Sequence, residues 1–169
     1  KTGDWIENTP NLSNGAIYID LDSDGDLDIV TNNFGEIAGL YENTTDNSKN
    51  YISLDFEYKG ANKEGIGLKA IVYNNGNSQL KQLFKSRGFL SSLDSKLHFG
   101  INDATTIDSI QIIWPNNEFQ TIKNPKINQN LTVSYSEGNN IYNYKNNRDT
   151  AAIFKKESLI NYTHKEDNY

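Results

Sequence analysis

The segment Asp20-Leu21-Asp22-Ser23-Asp24-Gly25-Asp26-Leu27-Asp28 places a carboxylate at every second position of a short loop. Oxygen ligands at that density suit a hard divalent cation, and calcium takes about six to eight of them at about 2.3–2.6 Å. Carboxylates at loop positions 1, 3 and 5, which are Asp20, Asp22 and Asp24, can converge on one ion. Gly25 at position 6 permits the sharp turn that brings the next carbonyl inward. Asp26 is then expected to give its backbone oxygen with its side chain outside, and Asp28 at position 9 to close the site with its carboxylate. The expected metal residues are therefore Asp20, Asp22, Asp24, Asp26 and Asp28, and the expected ion is Ca2+. Magnesium, with its stricter octahedral geometry, suits a fixed carboxylate cage less well. Read as a solvated acidic turn, the same five groups would repel one another strongly without a counter-ion. The loop is not an EF-hand, because Thr31 stands where that motif needs a Glu and the flanks read as strands.

Other residues invite chemistry with less support. Ser91, Ser92, Asp94 and His98 lie close together, but a triad needs its base to reach the nucleophile and a third group to orient the base. Residues crowded on one loop and strand rarely do so, and no Gly-x-Ser-x-Gly elbow is present. No catalytic residue is therefore assigned. Arg87-Gly88 is a basic turn that could receive an anion, with a purely structural turn as the plainer reading. Trp5 and some tyrosines could offer sugar-stacking faces, although such residues in a strand-rich chain are more often packing. Trp114 falls in step with Ile110 and Ile112 and reads as core.

The elements that must position the loop are short strands. Ala16–Ile19 and Leu27–Val30 flank it, and a short Leu40–Tyr41 strand follows the turn-rich 32–39 stretch. Ile52, Leu54, Phe56 and Tyr58 alternate with polar residues at a period of two. Leu68–Tyr73 is nearly all apolar and reads as a central strand. Asn74-Asn75-Gly76-Asn77 supplies a hairpin turn into Gln79–Lys85. Ile110–Trp114, Phe119–Ile122 and Leu131–Tyr135 complete the series, with a turn at Asn116-Asn117. Beyond Gly138 the chain is polar, and Ala151–Lys156 fits a strand or a short helix equally well.

Composition narrows the classes. The net charge is −6, which disfavours nucleic acid, whose phosphates need a concentrated positive surface. Cysteine is absent, which excludes disulfides, thiolate zinc sites and cysteine nucleophiles. No apolar run reaches membrane-spanning length. A start at Lys1 and a complete lack of Met suggest a piece of a longer protein.

Several short motifs in order carry a family resemblance. Ser13–Asn33, including the aspartate loop, resembles the last blade of an FG-GAP/VCBS-type β-propeller of bacterial surface proteins. Gly65-Ile66-Gly67, Arg87-Gly88-Phe89-Leu90-Ser91-Ser92, Leu97-His98-Phe99-Gly100 and Trp114-Pro115-Asn116 resemble the ASPIC/UnbV domain that follows such propellers in the cartilage acidic protein-like family. Leu68 stands where an alanine is common, and Asn117 where a glycine is usual. The tail from Ile153 to Asp167, with His164, resembles the opening of another propeller module.

The resemblance implies three segments: a propeller-blade remnant with the calcium loop at 1–46, an ASPIC/UnbV β-domain at 47–137, and a linker with the start of a following module at 138–169. The expected fold is all-β, a β-sandwich or barrel-like domain with an appended β-hairpin calcium-loop unit. The expected function is a non-catalytic calcium-binding extracellular binding or scaffold module of a larger bacterial surface protein. Its partners would be an unknown glycan or protein ligand and neighbouring propeller modules. The alternative is an accessory domain of a carbohydrate-active or other secreted enzyme whose catalytic site lies elsewhere in the parent chain. The isolated blade is expected to pack on the β-domain and cover one of its faces.

Overall fold

The computed structural model describes residues 12–44, 49–144 and 165, and these are all-β. The order is β1 Ser13–Ile19, β2 Asp28–Asn33, β3 Gly39–Tyr41, β4 Asn50–Glu57, β5 Lys69–Asn74 and β6 Asn77–Gln82. Then follow β7 Leu97–Asn102, β8 Ser109–Ile113, β9 Glu118–Lys123, β10 Asn130–Ser134 and β11 Asn140–Ile141. Trp5, His164 and the 151–156 segment lie outside the described residues.

Three sheets result: β1-β2-β3, β10-β4-β7 and β11-β9-β8-β5-β6. The second and third enclose one core as a β-sandwich, and no barrel closes. Along β4 the alternation puts Ile52, Leu54 and Phe56 inward and fully or nearly fully buried, while Ser53 and Asp55 face the other way. They meet Phe99 and Ile101 of β7 and Val133 of β10, with Ala70 and Val72 of β5 and Ile110 and Ile112 of β8 opposite. Burying a side chain of this size contributes about 1.5–3 kcal/mol relative to leaving it exposed, so this cluster dominates the fold's stability.

Trp114 caps one end of the core. Tyr58 stacks on it with ring centroids 5.3 Å apart, and Tyr135 meets it edge-on at 5.5 Å. Its indole N–H donates to the Gln120 side chain, so burial leaves no polar atom orphaned. Leu68, in place of the usual alanine, is completely buried in the same cluster.

The turns follow the local chemistry. Asn75 and Gly76 both have positive φ, 46° and 77°, as a two-residue hairpin between β5 and β6 requires. Asn117, where a glycine is usual, adopts φ 64°. The Leu97–Gly100 motif lies in strand β7. Leu97, Phe99 and Ile101 alternate inward along β7, which pairs antiparallel with β4.

The β1-β2-β3 sheet stands beside this sandwich and contributes nothing to its core. It meets the sandwich where β1 reaches the loop before β7 and where the aspartate loop reaches β4. The Ala16 amide donates to the Ser91 hydroxyl, and Gly25 lies against the Tyr51 ring. The loop end of the unit thus lies over the outward side of β4 and β7, where Tyr51, Ser53 and His98 share a cleft with Tyr18, Ile19 and Asp20. Leu12, Phe34, Ile37 and Leu40 of this unit remain largely exposed.

Candidate metal centre and adjoining cleft

The aspartate loop joins β1 to β2, which pair antiparallel from Ala16↔Thr31 to Ile19↔Asp28. That pairing fixes the two ends of the loop opposite each other. Asp28, the first residue of β2, is buried, and its two carboxylate oxygens accept from the backbone amides of Leu21 (3.1 Å) and Asn43 (2.9 Å). It therefore ties the start of the loop to the segment after β3. Each oxygen keeps a further lone pair, so this duty is compatible with ligation.

Within the loop the carboxylates also organise the backbone. Asp22 accepts from the amide of Asp24, Asp24 from that of Asp26, and Asp20 from that of Gly25. These side chain-to-backbone turns are a habit of Asp, and they hold successive carboxylates to one side of a tight curve. The ligand atoms of Asp20, Asp22 and Asp24 all lie within 4.8 Å of one another.

Two further facts separate this cluster from a solvated acidic turn. Oδ1 of Asp20 and both carboxylate oxygens of Asp26 are shielded from solvent and have no hydrogen-bond partner. A buried carboxylate oxygen without a donor costs at least as much as a lost hydrogen bond, and more when charged. Desolvation, with the charges of Asp24, Asp28, Asp22 and Asp20, pushes the Asp26 carboxyl up from its ordinary value to about 6.

The Asp26 side chain is thus not outside, as the loop position suggested. Asp26 lies in the bend before β2, and its amide donates to the Asp24 carboxylate while its own carboxylate oxygens are shielded from solvent. Of the five expected residues, the structure brings the ligand atoms of three together, Asp20, Asp22 and Asp24, and gives Asp26 and Asp28 other surroundings. Asp26 has shielded oxygens, and Asp28 holds the frame. The donor set is all oxygen and anionic, which fits a hard divalent cation.

Gly25 has φ +95°, and a Cβ there would fall 1.9 Å from Cε1 of Tyr51. The loop can lie on Tyr51 only because position 25 has no side chain. Tyr51, from β4, in turn stacks on His98 of β7 at 5.3 Å with the planes 16° apart. Desolvation and the nearby Asp20 and Asp24 raise the Tyr51 hydroxyl above its ordinary value.

A cleft of about 670 Å³ opens beside this stack, between the loop and the β6–β7 face. Asp20 and Ser23 form one wall, and Lys81, Arg87, Lys96 and His98 stand on the other. Lys81 donates to the His98 carbonyl, and burial together with Arg87 holds its amine below the ordinary value. Burial, with Lys81, likewise lowers His98, against the pull of Asp20. Sequence reasoning singled out Arg87 and missed Lys81, because a lone lysine in a strand carries no local signal. The Ser91 hydroxyl is engaged by the Phe89 carbonyl and the Ala16 amide, and Asp94 by the Ser95 amide and Lys96.

No helix among the described residues is long and apolar enough to cross a membrane. None of the curated proteins compared with the chain matches it. The stretch from Tyr58, directly after β4, to Asn140, where β11 begins, does match a family model: residues 58–140 carry the signature of the ASPIC and UnbV family.

Proposed function

We propose that this chain is a non-catalytic, calcium-binding module that works outside the cell as a binding or scaffold unit of a larger surface protein. The observation that carries the reading is the set of shielded, partnerless oxygens on Asp20 and Asp26 beside the convergent carboxylates of Asp22 and Asp24. A divalent cation satisfies those oxygens and cancels the repulsion among five carboxylates. The loop's place between β1 and β2 supports a blade of the FG-GAP/VCBS kind preceding the ASPIC and UnbV stretch, on a bacterial exported protein. Neighbouring propeller modules of the parent chain are then natural partners for the exposed apolar residues of the β1-β2-β3 unit.

Thermal unfolding with calcium, with magnesium and with EDTA tests this reading. A ligand that binds only the native state at 100 times its Kd adds about 2.7 kcal/mol, which raises Tm by on the order of 5 °C in a chain of this size. The rise is expected with calcium, to be smaller with magnesium, and to vanish in Asp22→Ala/Asp24→Ala. An unchanged Tm with every ion would remove the calcium reading.

The cleft favours a second reading, an accessory domain of a carbohydrate-active or other secreted enzyme whose catalytic site lies elsewhere. Its support is a concave site holding two groups, Lys81 and His98, displaced from their ordinary pKa values. Glycosidase or esterase turnover by this chain alone, lost in His98→Gln, would move catalysis into the cleft and displace both readings.

A further inference from the structure

In the cleft between the aspartate loop and the β6–β7 face, Lys81 donates to the His98 carbonyl and Arg87 to the Gln82 carbonyl, and neither neutral acceptor cancels the charge of its donor. Lys85 pairs with Glu64, Lys49 with Asp103 and Lys96 with Asp94, yet neither Lys81 nor Arg87 has a carboxylate partner among the described residues. These two cations line the same cleft, close enough for Arg87 to depress the Lys81 amine. In a chain of net charge −6, two unpaired cations side by side in a concavity are a place where an anion is stabilised.

The remaining lining narrows the kind of anion. Gln82 donates one amide N–H to Gly67 and Asn130 one to Asp55, and both amide oxygens are uncommitted among the described residues. Such oxygens accept from hydroxyl groups. Leu80 and Phe84, roughly half exposed, offer an apolar shelf of the kind on which a sugar ring lies. The cleft volume falls inside the usual range for small-ligand sites, about 300–1,000 Å³. Anionic, hydroxyl-rich and flat-faced together describe a sugar acid. An acidic peptide would match the cations and, through its backbone N–H groups, the acceptors too. The shelf at Leu80 and Phe84 is what favours a sugar ring over it, while a nucleic acid would meet the acidic remainder of the surface.

We infer that this cleft binds a uronic-acid unit of an acidic oligosaccharide, its carboxylate held by Arg87 and Lys81 and its hydroxyls by Gln82 and Asn130. The inference rests on the binding-module reading and not on the ion. Asp20 and Ser23 form the facing wall, so occupancy of the aspartate loop would order that wall without itself touching the sugar.

The test is calorimetric titration of the full chain with a hyaluronan hexasaccharide, in calcium and again in EDTA. A neutral chitin hexamer and hexaglutamate serve as comparison ligands. Saturable binding of the hyaluronan probe alone is expected, weakened about tenfold in Arg87→Gln, as for loss of one charge-assisted hydrogen bond, and unchanged in Lys123→Gln, outside the cleft. Lys81→Gln should act like Arg87→Gln, and an unaltered Tm in either variant separates lost contact from lost fold. No binding, equal binding of hexaglutamate, or indifference to Arg87→Gln would overturn the assignment. Calcium-dependent stabilisation, read in the same samples, keeps the two readings apart. Its absence with sugar binding intact removes only the ion, and its presence without sugar binding removes only the cleft assignment.

Discussion

Asp26 concentrates the tension in the aspartate loop. In the ion-free protein its carboxyl is raised to about 6, so the folded chain holds this proton more tightly than the unfolded chain does. The stabilising contribution of that protonation is complete below about pH 4 and is lost as pH rises through about 6. Calcium competes for the same oxygens, so its apparent affinity should fall as pH drops through about 6, read by titrations at pH 5, 6 and 7.5. Asp26→Asn removes the repulsion along with the charge. It should raise Tm in EDTA and weaken calcium about tenfold, two opposite signs that an ordinary surface aspartate would not give. Gly25→Ala should cost about 1–3 kcal/mol in denaturant unfolding, since the left-handed φ strains any side chain and Tyr51 occupies its space.

Strands decide which of these groups meet. β4 is paired on both sides, antiparallel with β7 and parallel with β10, and carries the fully buried Ile52 and Leu54. Leu54→Ala should therefore cost about 2–5 kcal/mol by chemical unfolding, whereas Leu80→Ala on the exposed β6 should stay within about 0.5 kcal/mol. Much of this element structure is legible in the sequence. The alternation of Ile52, Leu54 and Phe56, the Asn75-Gly76 turn, the stop at Pro115 and the five evenly spaced aspartates are local signals, and the structure places strands, hairpin and loop accordingly. The β7 strand carries the same alternation in Leu97, Phe99 and Ile101, although in the sequence this stretch was read only as a family motif. The parallel pairing of β10 with β4 has no local signature, because the partners are joined only through tertiary packing. For the same reason the inward turn of Asp26 and the meeting of Lys81 with Arg87 were not legible. Each depends on how a loop folds back against residues distant in sequence.

At the scale of the whole molecule, a three-stranded sheet stands beside a sandwich that holds the core. One core lies between the β10-β4-β7 and β11-β9-β8-β5-β6 sheets, and the β1-β2-β3 unit adds no residue to it. A small sheet with exposed Phe34, Ile37 and Leu40 buries too little apolar surface to be robust alone, so an ion in its loop has a large share in ordering it. A chain starting at Lys49 should accordingly keep the sandwich's cooperative unfolding, followed by circular dichroism, while losing every effect of calcium on Tm. The most direct test of the central claim is calorimetric titration of calcium into the chelator-treated full chain, alongside Asp22→Ala/Asp24→Ala. The account predicts one saturable site per chain that disappears in the double variant. Absence of saturable calcium binding in the native chain, or equal binding in the variant, would contradict it.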